Sequence, residues 1–164
     1  MYNITVTGRK LKPTIIEFSP EHASAVKSFL LSILEGEFGH INVPRPDLDD
    51  IENYYQVDSG NFWIALDSTQ VVGTVGLKDY GHGIGFIQRM SVLNELRGTG
   101  VAQVLLHKLE EFAHEHMYAS LYLATSENLQ AANHFYPKER YEQVASLPPE
   151  IPTPIAKMYY KKDL

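Results

Sequence analysis

Gln88–Ala102 reads QRMSVLNELRGTGVA, and it joins an apolar, β-branched run to an amphipathic one through a glycine-rich turn. Gln88 to Val92 has the composition of a strand, while Val101, Val104, Leu105, Leu109, Phe112 and Ala113 recur at the three-and-four spacing of a helix, predicted over Gly98–His116. The first amides of a helix have no carbonyl partner within it, and the macrodipole puts about half a positive charge there. Gly98 and Gly100 lack a β-carbon, so the backbone can take φ > 0 and approach an anion closely, with Arg97 adding a charge at the edge. The turn therefore reads as a phosphate grip. It is neither a P-loop, which needs Gly-x-x-x-x-Gly-Lys-Ser/Thr, nor a Rossmann turn, which needs Gly-x-Gly-x-x-Gly. A purely structural turn into the helix is the competing reading.

Working outward, Thr14–Phe18 is a short strand, followed by Ser19 as N-cap, Pro20 at the first helical position and a helix to about Gly36. Gly36–Pro46 carries loop signals, and Asp47 is placed to cap a second helix running to Tyr55 with Leu48, Ile51 and Tyr55 inward. Strands Asn61–Leu66, Val71–Leu77 and Ile84–Val92 form an antiparallel meander with turns at Asp67–Gln70 and Asp79–Gly83. After the long helix, Ser120–Thr125 is a strand, which makes the strand–helix–strand unit a right-handed parallel crossover. A helix at Leu129–Tyr136, a strand at Tyr141–Ala145, a stiff proline-rich loop at Leu147–Pro154 and a closing strand at Ile155–Lys161 complete the chain.

The Arg97 turn resembles the Arg/Gln-x-x-Gly-x-Gly/Ala signature of the GCN5-related N-acetyltransferases (GNAT), with Arg97, Gly100 and Ala102 in the signature positions. The segment Asn128-Leu-Gln-Ala-Ala-Asn-His-Phe135-Tyr136 followed by Tyr141 is similar to that family's Asn…Ala…Tyr-x-x-x-Gly-Phe segment. Asn128 lies one residue further from the tyrosine than is usual, and Arg140 stands where glycine is common. The resemblance implies an α/β, single-domain GNAT-like fold over residues 1–164, with 1–13 as an N-terminal extension and a core over about 14–161. The sheet is expected to be mixed and mostly antiparallel, with about six to seven strands, about four flanking helices and a central β-α-β acyl-CoA-binding unit.

It further implies acetyl-CoA as acyl donor and acetylation of a primary amine on a small molecule or peptide by direct attack in a ternary complex. Met90 and Val92 are expected to pair with the pantetheine arm, Arg97, Gly98, Thr99, Gly100, Val101 and Ala102 to hold the pyrophosphate, and Ser91 and Asn128 also to bind the cofactor. Tyr136 is the expected acid at the sulfur, against the alternative that it is a core aromatic. Many relatives carry a glutamate on the strand before the Arg-Met step, but Gly85–Met90 has no carboxylate, which leaves the base to water or to Glu35, Glu37, His40, Asp79, Tyr80 or His82. The missing glutamate also keeps open a non-catalytic acyl-CoA-binding or regulatory module, and a purely structural turn would leave an interaction domain without cofactor.

Composition narrows the classes. At 164 residues with a formal charge of −6 and no long basic run, the chain fits one domain and disfavours nucleic-acid partners. The absence of cysteine excludes disulfides and a cysteine acyl-enzyme. His107 and His114 share a helix face but His116 points elsewhere, so no metal site is expected, and Asp49, Asp50 and Glu52 read as a solvated acidic face. The start has no apolar run of signal-peptide length and Phe29–Leu34 is too short to span a bilayer, so the expectation is a cytoplasmic protein without membrane partners. A homodimer is possible on general grounds of symmetry.

Overall fold

In the computed structural model, residues 13–40 and 42–164 are described in full, and residues 4–6 and 9–11 by their backbone. A separate antiparallel pair, β1 (Ile4–Val6) and β2 (Arg9–Leu11), lies in the N-terminal extension. The main sheet has seven strands in the order β3-β4-β5-β6-β7-β9-β8. These are β3 (Thr14–Glu17), β4 (Asn61–Asp67), β5 (Gln70–Asp79), β6 (Ile84–Val92), β7 (Ser120–Thr125), β8 (Glu142–Val144) and β9 (Met158–Asp163). Every neighbouring pair is antiparallel except the central β6–β7 pair, which is parallel and joined through α4 (Val101–Glu115). The fold is therefore the mixed α/β sheet expected from the sequence. Among the described residues no helix is long and apolar enough to cross a membrane.

Strand periodicity divides the core. Phe62 and Ile64 face one layer with Phe18, Val26, Leu30, Leu48, Ile51 and Tyr55, whereas Trp63 faces the other with Leu105, Leu109, Leu121, Leu123 and Tyr136. Leu105, Leu106 and Leu109 of α4 are completely buried, each contributing about 1.5–3 kcal/mol of transfer free energy.

Several boundaries differ from expectation for local reasons. Helix α1 (Ala23–Phe38) runs through Gly36 and stops at Gly39, whose φ of 74° leaves the helical region while its N–H donates to the Glu35 carbonyl. The chain enters α1 through a 3-10 turn at Pro20–His22, and Ser19 makes no side-chain cap bond to the backbone. The expected helix from Asp47 to Tyr55 is two short ones, α2 (Pro46–Asp49) and α3 (Ile51–Tyr55), broken at Asp50, whose ψ of 76° lies outside the helical region. Asp50 caps α3 through the Asn53 amide at 3.1 Å, so Asp47 is freed from capping. Helix α5 (Gln130–Lys138) continues past Tyr136. The closing strand starts at Met158 rather than Ile155, which is 91% exposed just after Pro154, and it inserts between β7 and β8.

Candidate active site

The site is made by an irregularity in β6. Pairing with β5 shifts register between Thr74↔Ser91 and Gly76↔Gln88, so Val75 faces both Arg89 and Met90. Arg89 absorbs the extra residue at φ 53°, which costs a non-glycine residue about 1–2 kcal/mol. Side chains hold it there. Thr74 Oγ1 donates to the Arg89 carbonyl at 2.7 Å, and the Arg89 guanidinium donates to Asp47 through Nε at 2.7 Å and Nη2 at 2.9 Å. The Tyr55 hydroxyl donates to the same carboxylate at 2.9 Å. Burial and then the Asp47 charge push the Tyr55 phenol far up, so it remains a donor.

The bulge ends the parallel pairing. β6 and β7 are in register from Ile84↔Ser120 to Ile87↔Leu123 and no further, although β6 continues to Val92 and β7 to Thr125. β7 stays tied to β9 through Ala124↔Tyr159 and Thr125↔Met158, and β6 to β5 through Gly73↔Val92. The two central strands thus part, and the β7-facing backbone groups of Met90, Ser91 and Val92 have no strand partner.

At the wide end of this gap lies the glycine turn. A 3-10 turn at Asn94–Leu96 leads to Gly98 at φ 75° and Gly100 at φ 98°, and α4 starts at Val101. The first-turn amides of Val101, Ala102 and Gln103 have no carbonyl partner inside the helix. A β-carbon built on Gly98 or Gly100 would meet nothing within 4 Å, so the space over the turn is open. Thr99 Oγ1 donates to the Leu96 carbonyl, and Arg97 Nη2 donates to Glu37 Oε1 of α1 at 2.7 Å. The arrangement offers backbone donors to an anion at one end and unpaired strand edges to an amide-bearing chain along its length.

Tyr136 of α5 lies on the β7 side, 5% exposed, in the same apolar cluster against which Met90 packs. Its ring meets Phe135, Tyr141 and Tyr160 with centroids 5.2, 5.5 and 6.1 Å away. Burial alone pushes its phenol well above the ordinary range, and its hydroxyl takes no hydrogen-bond partner among the described residues. Arg140 has φ 68°, the left-handed conformation a glycine would take without strain, and this lets the Tyr141 amide donate to the Tyr136 carbonyl at 3.0 Å.

Asn128 is exposed ahead of α5. Asn133 does the anchoring there: its Nδ2 donates to the Ser126 carbonyl at 3.0 Å, and its Oδ1 accepts from Tyr160 at 3.3 Å. Sequence reading missed Asn133 and the Asp47–Arg89 pair. Asn133 shares a helix face with Tyr136, three residues on, whereas Asp47 and Arg89 lie 42 positions apart with no sequence signal joining them.

The candidate bases are dispersed. Glu35 pairs with His40 at 2.9 Å, Glu37 with Arg97, and Asp79 accepts from the Ser59 and Gly81 amides. Asp79, Tyr80 and His82 sit on the β5–β6 hairpin, whereas Met90 lies six residues along β6 from Ile84, about 20 Å at strand rise. His107 pairs with Glu139 at 2.9 Å and His116 stacks on Phe112, so those histidines do not converge.

The family model described as "Acetyltransferase (GNAT) family" matches residues 28–140. N-acetylaspartate synthetase of Xenopus tropicalis is 35% identical over 102 residues, covering 61% of this chain and 38% of that protein. N-acetyltransferase 8F1 of Rattus norvegicus is 36% identical over 97 residues, covering 56% and 44%. The chain thus spans about two fifths of the length of these curated relatives. A GNAT-family acetyltransferase of Staphylococcus aureus Mu50 superposes with a TM-score of 0.86 at 27% identity, covering 93% of this chain and 99% of that one. The fold is also that of PaiA N-acetyltransferase of Thermoplasma acidophilum in complex with coenzyme A, with a TM-score of 0.72 at 13% identity over 94% and 100% of the two chains.

Proposed function

This chain belongs to the acetyltransferase (GNAT) family, and from that premise we propose that it transfers an acetyl group from acetyl-CoA to the primary amine of a small molecule or peptide. The observation that carries the reading is the opening between β6 and β7 ending at the Arg97–Ala102 turn. The open space above Gly98 and Gly100 and the unpaired edge of Met90–Val92 fit a diphosphate followed by a pantetheine arm. Met90, Ser91 and Val92 would pair with the arm, while Arg97, Gly98, Thr99, Gly100, Val101 and Ala102 would hold the diphosphate chiefly by N–H groups, with Asn128 at the border. When bound, acetyl-CoA supplies an acetyl thioester.

The chain's own part is positioning and proton supply. Tyr136 belongs to the cluster against which Met90 packs, and its raised phenol keeps the proton on Oη at any pH below the ordinary value of about 10. The name of one relative, N-acetylaspartate synthetase, supports a small amino-acid-like acceptor. The test is release of coenzyme A thiol from acetyl-CoA in the presence of amines. Release only with an amine supports transfer; tight coenzyme A binding without release identifies the non-catalytic module that the carboxylate-free β6 strand allows.

Two expected results arise here. Gly100→Val should raise the KM for acetyl-CoA at least roughly tenfold, because a β-branched residue at φ 98° is strained and its side chain fills the open space. Thr99→Val, whose hydroxyl is spent on Leu96, is the matched control; equal effects of the two would refute the diphosphate assignment. The pH profile is the second. With Asp47 enclosed by Arg89 and Tyr55 and no carboxylate on β6, amine deprotonation falls to solvent. The acceptor kcat/KM should then climb roughly tenfold per pH unit below the amine's own pKa. A plateau above about pH 6.5 would instead assign a histidine base.

A further inference from the structure

Arg89 is more than the clamp of the bulge. A guanidinium carries five N–H donors, and Asp47 takes the Nε hydrogen and one Nη2 hydrogen through its two oxygens. That leaves the second edge of the fork, the two Nη1 hydrogens and the remaining Nη2 hydrogen, geometrically suited to another carboxylate. Asp47 keeps only 8% of its side-chain surface exposed, whereas Arg89 keeps 23%, so part of the Arg89 side chain reaches accessible space beyond the clamp. Arg89 also directly precedes Met90, at the point where β6 leaves β7.

Neighbouring groups suit an anion held by shape rather than by net charge. The Asp47–Arg89 pair is neutral overall, so attraction has to come from the directed fork. Tyr54, half-buried on α3, lies close enough to feel Asp47, Arg89 and Gln88, and its hydroxyl is a further donor. Lys78 lies over the Tyr54 ring, 4.6 Å from its centroid, and donates to the Tyr54 carbonyl at 2.6 Å, which fixes the ring. Resting on the acetyltransferase reading above, we infer that the free edge of Arg89 seats a carboxylate of the acceptor, so that the acceptor is an amino acid whose amine is thereby placed at Met90. Arg89 is a specificity-determining residue, and Asp47 is the positioning residue that presents its second edge outward.

The experiment compares each of a set of L-amino acids, aspartate included, with its own carboxamide in the acetyl-CoA assay, alongside coenzyme A binding by calorimetry. With kcat/KM taken per neutral amine, wild-type protein should favour the acid over the amide by at least roughly a hundredfold, through KM rather than kcat, because a fork left without its partner is costly. In Arg89→Lys the preference should collapse to within about threefold, since a lysine cannot make the two-pronged contact. The wild-type comparison stands even where the variant folds poorly. Coenzyme A binding with acids and amides turned over equally, or with no amino acid turned over, overturns the Arg89 assignment alone. No coenzyme A binding overturns the acetyltransferase reading and the assignment with it.

Discussion

Tyr136→Phe is expected to lower kcat about a hundredfold while leaving the KM for acetyl-CoA within about twofold and the melting temperature nearly unchanged. The physical grounds are that the substitution removes a single oxygen. The ring contacts with Phe135, Tyr141 and Tyr160 persist, and the hydroxyl has no partner among the described residues to be orphaned. A phenylalanine would fill the core equally well, so packing alone does not call for the hydroxyl. A leaving thiolate, by contrast, would supply it with an acceptor. Steady-state kinetics with a thermal melt checks this, and an unchanged kcat assigns Tyr136 to packing.

Asp47→Ala is expected to destabilise the fold by about 3 kcal/mol, the low end for breaking a buried ion pair because Arg89 is partly exposed. The variant removes three hydrogen bonds at once and leaves a guanidinium and a buried phenol without their acceptor. For a chain of this size the melting temperature should fall by roughly 6–12 °C. Arg89 would also lose the tether that opposes the strain of its positive φ, so β6 is expected to relax toward β7 and acetyl-CoA binding to weaken. A melting temperature within about 2 °C of wild type would show that Thr74 and the sheet hold the bulge unaided.

Local physics made the glycine turn readable. Gly98 and Gly100 announce positive φ, the Val101–Ala113 periodicity announces a helix, and the two together place open amides at a strand end. Tyr136 was readable through its helix and the motif around it. Asp47 was not, because an acidic residue beside proline at a helix start has a capping role available, and only the fold shows Asp50 taking that role instead. The distance of the hairpin candidates Asp79, Tyr80 and His82 from the opening was hidden for a related reason. A polar loop residue carries no mark of which end of a strand it occupies, and the β5–β6 hairpin lies at the end of β6 away from the opening.

By itself the sequence determined the succession of elements, the two-faced strands, the glycine turn and the family likeness, since all of these depend on residues within about one helix or hairpin of each other. The tertiary structure alone decided that β9 inserts between β7 and β8, that a non-glycine residue takes φ 53° in the middle of β6, and that an aspartate 42 positions away holds it there. Those outcomes are set by packing between distant segments. The strain at Arg89 is tolerated only because a buried carboxylate, a phenol and a threonine converge on it, and that convergence exists only once the sheet and α2 are assembled.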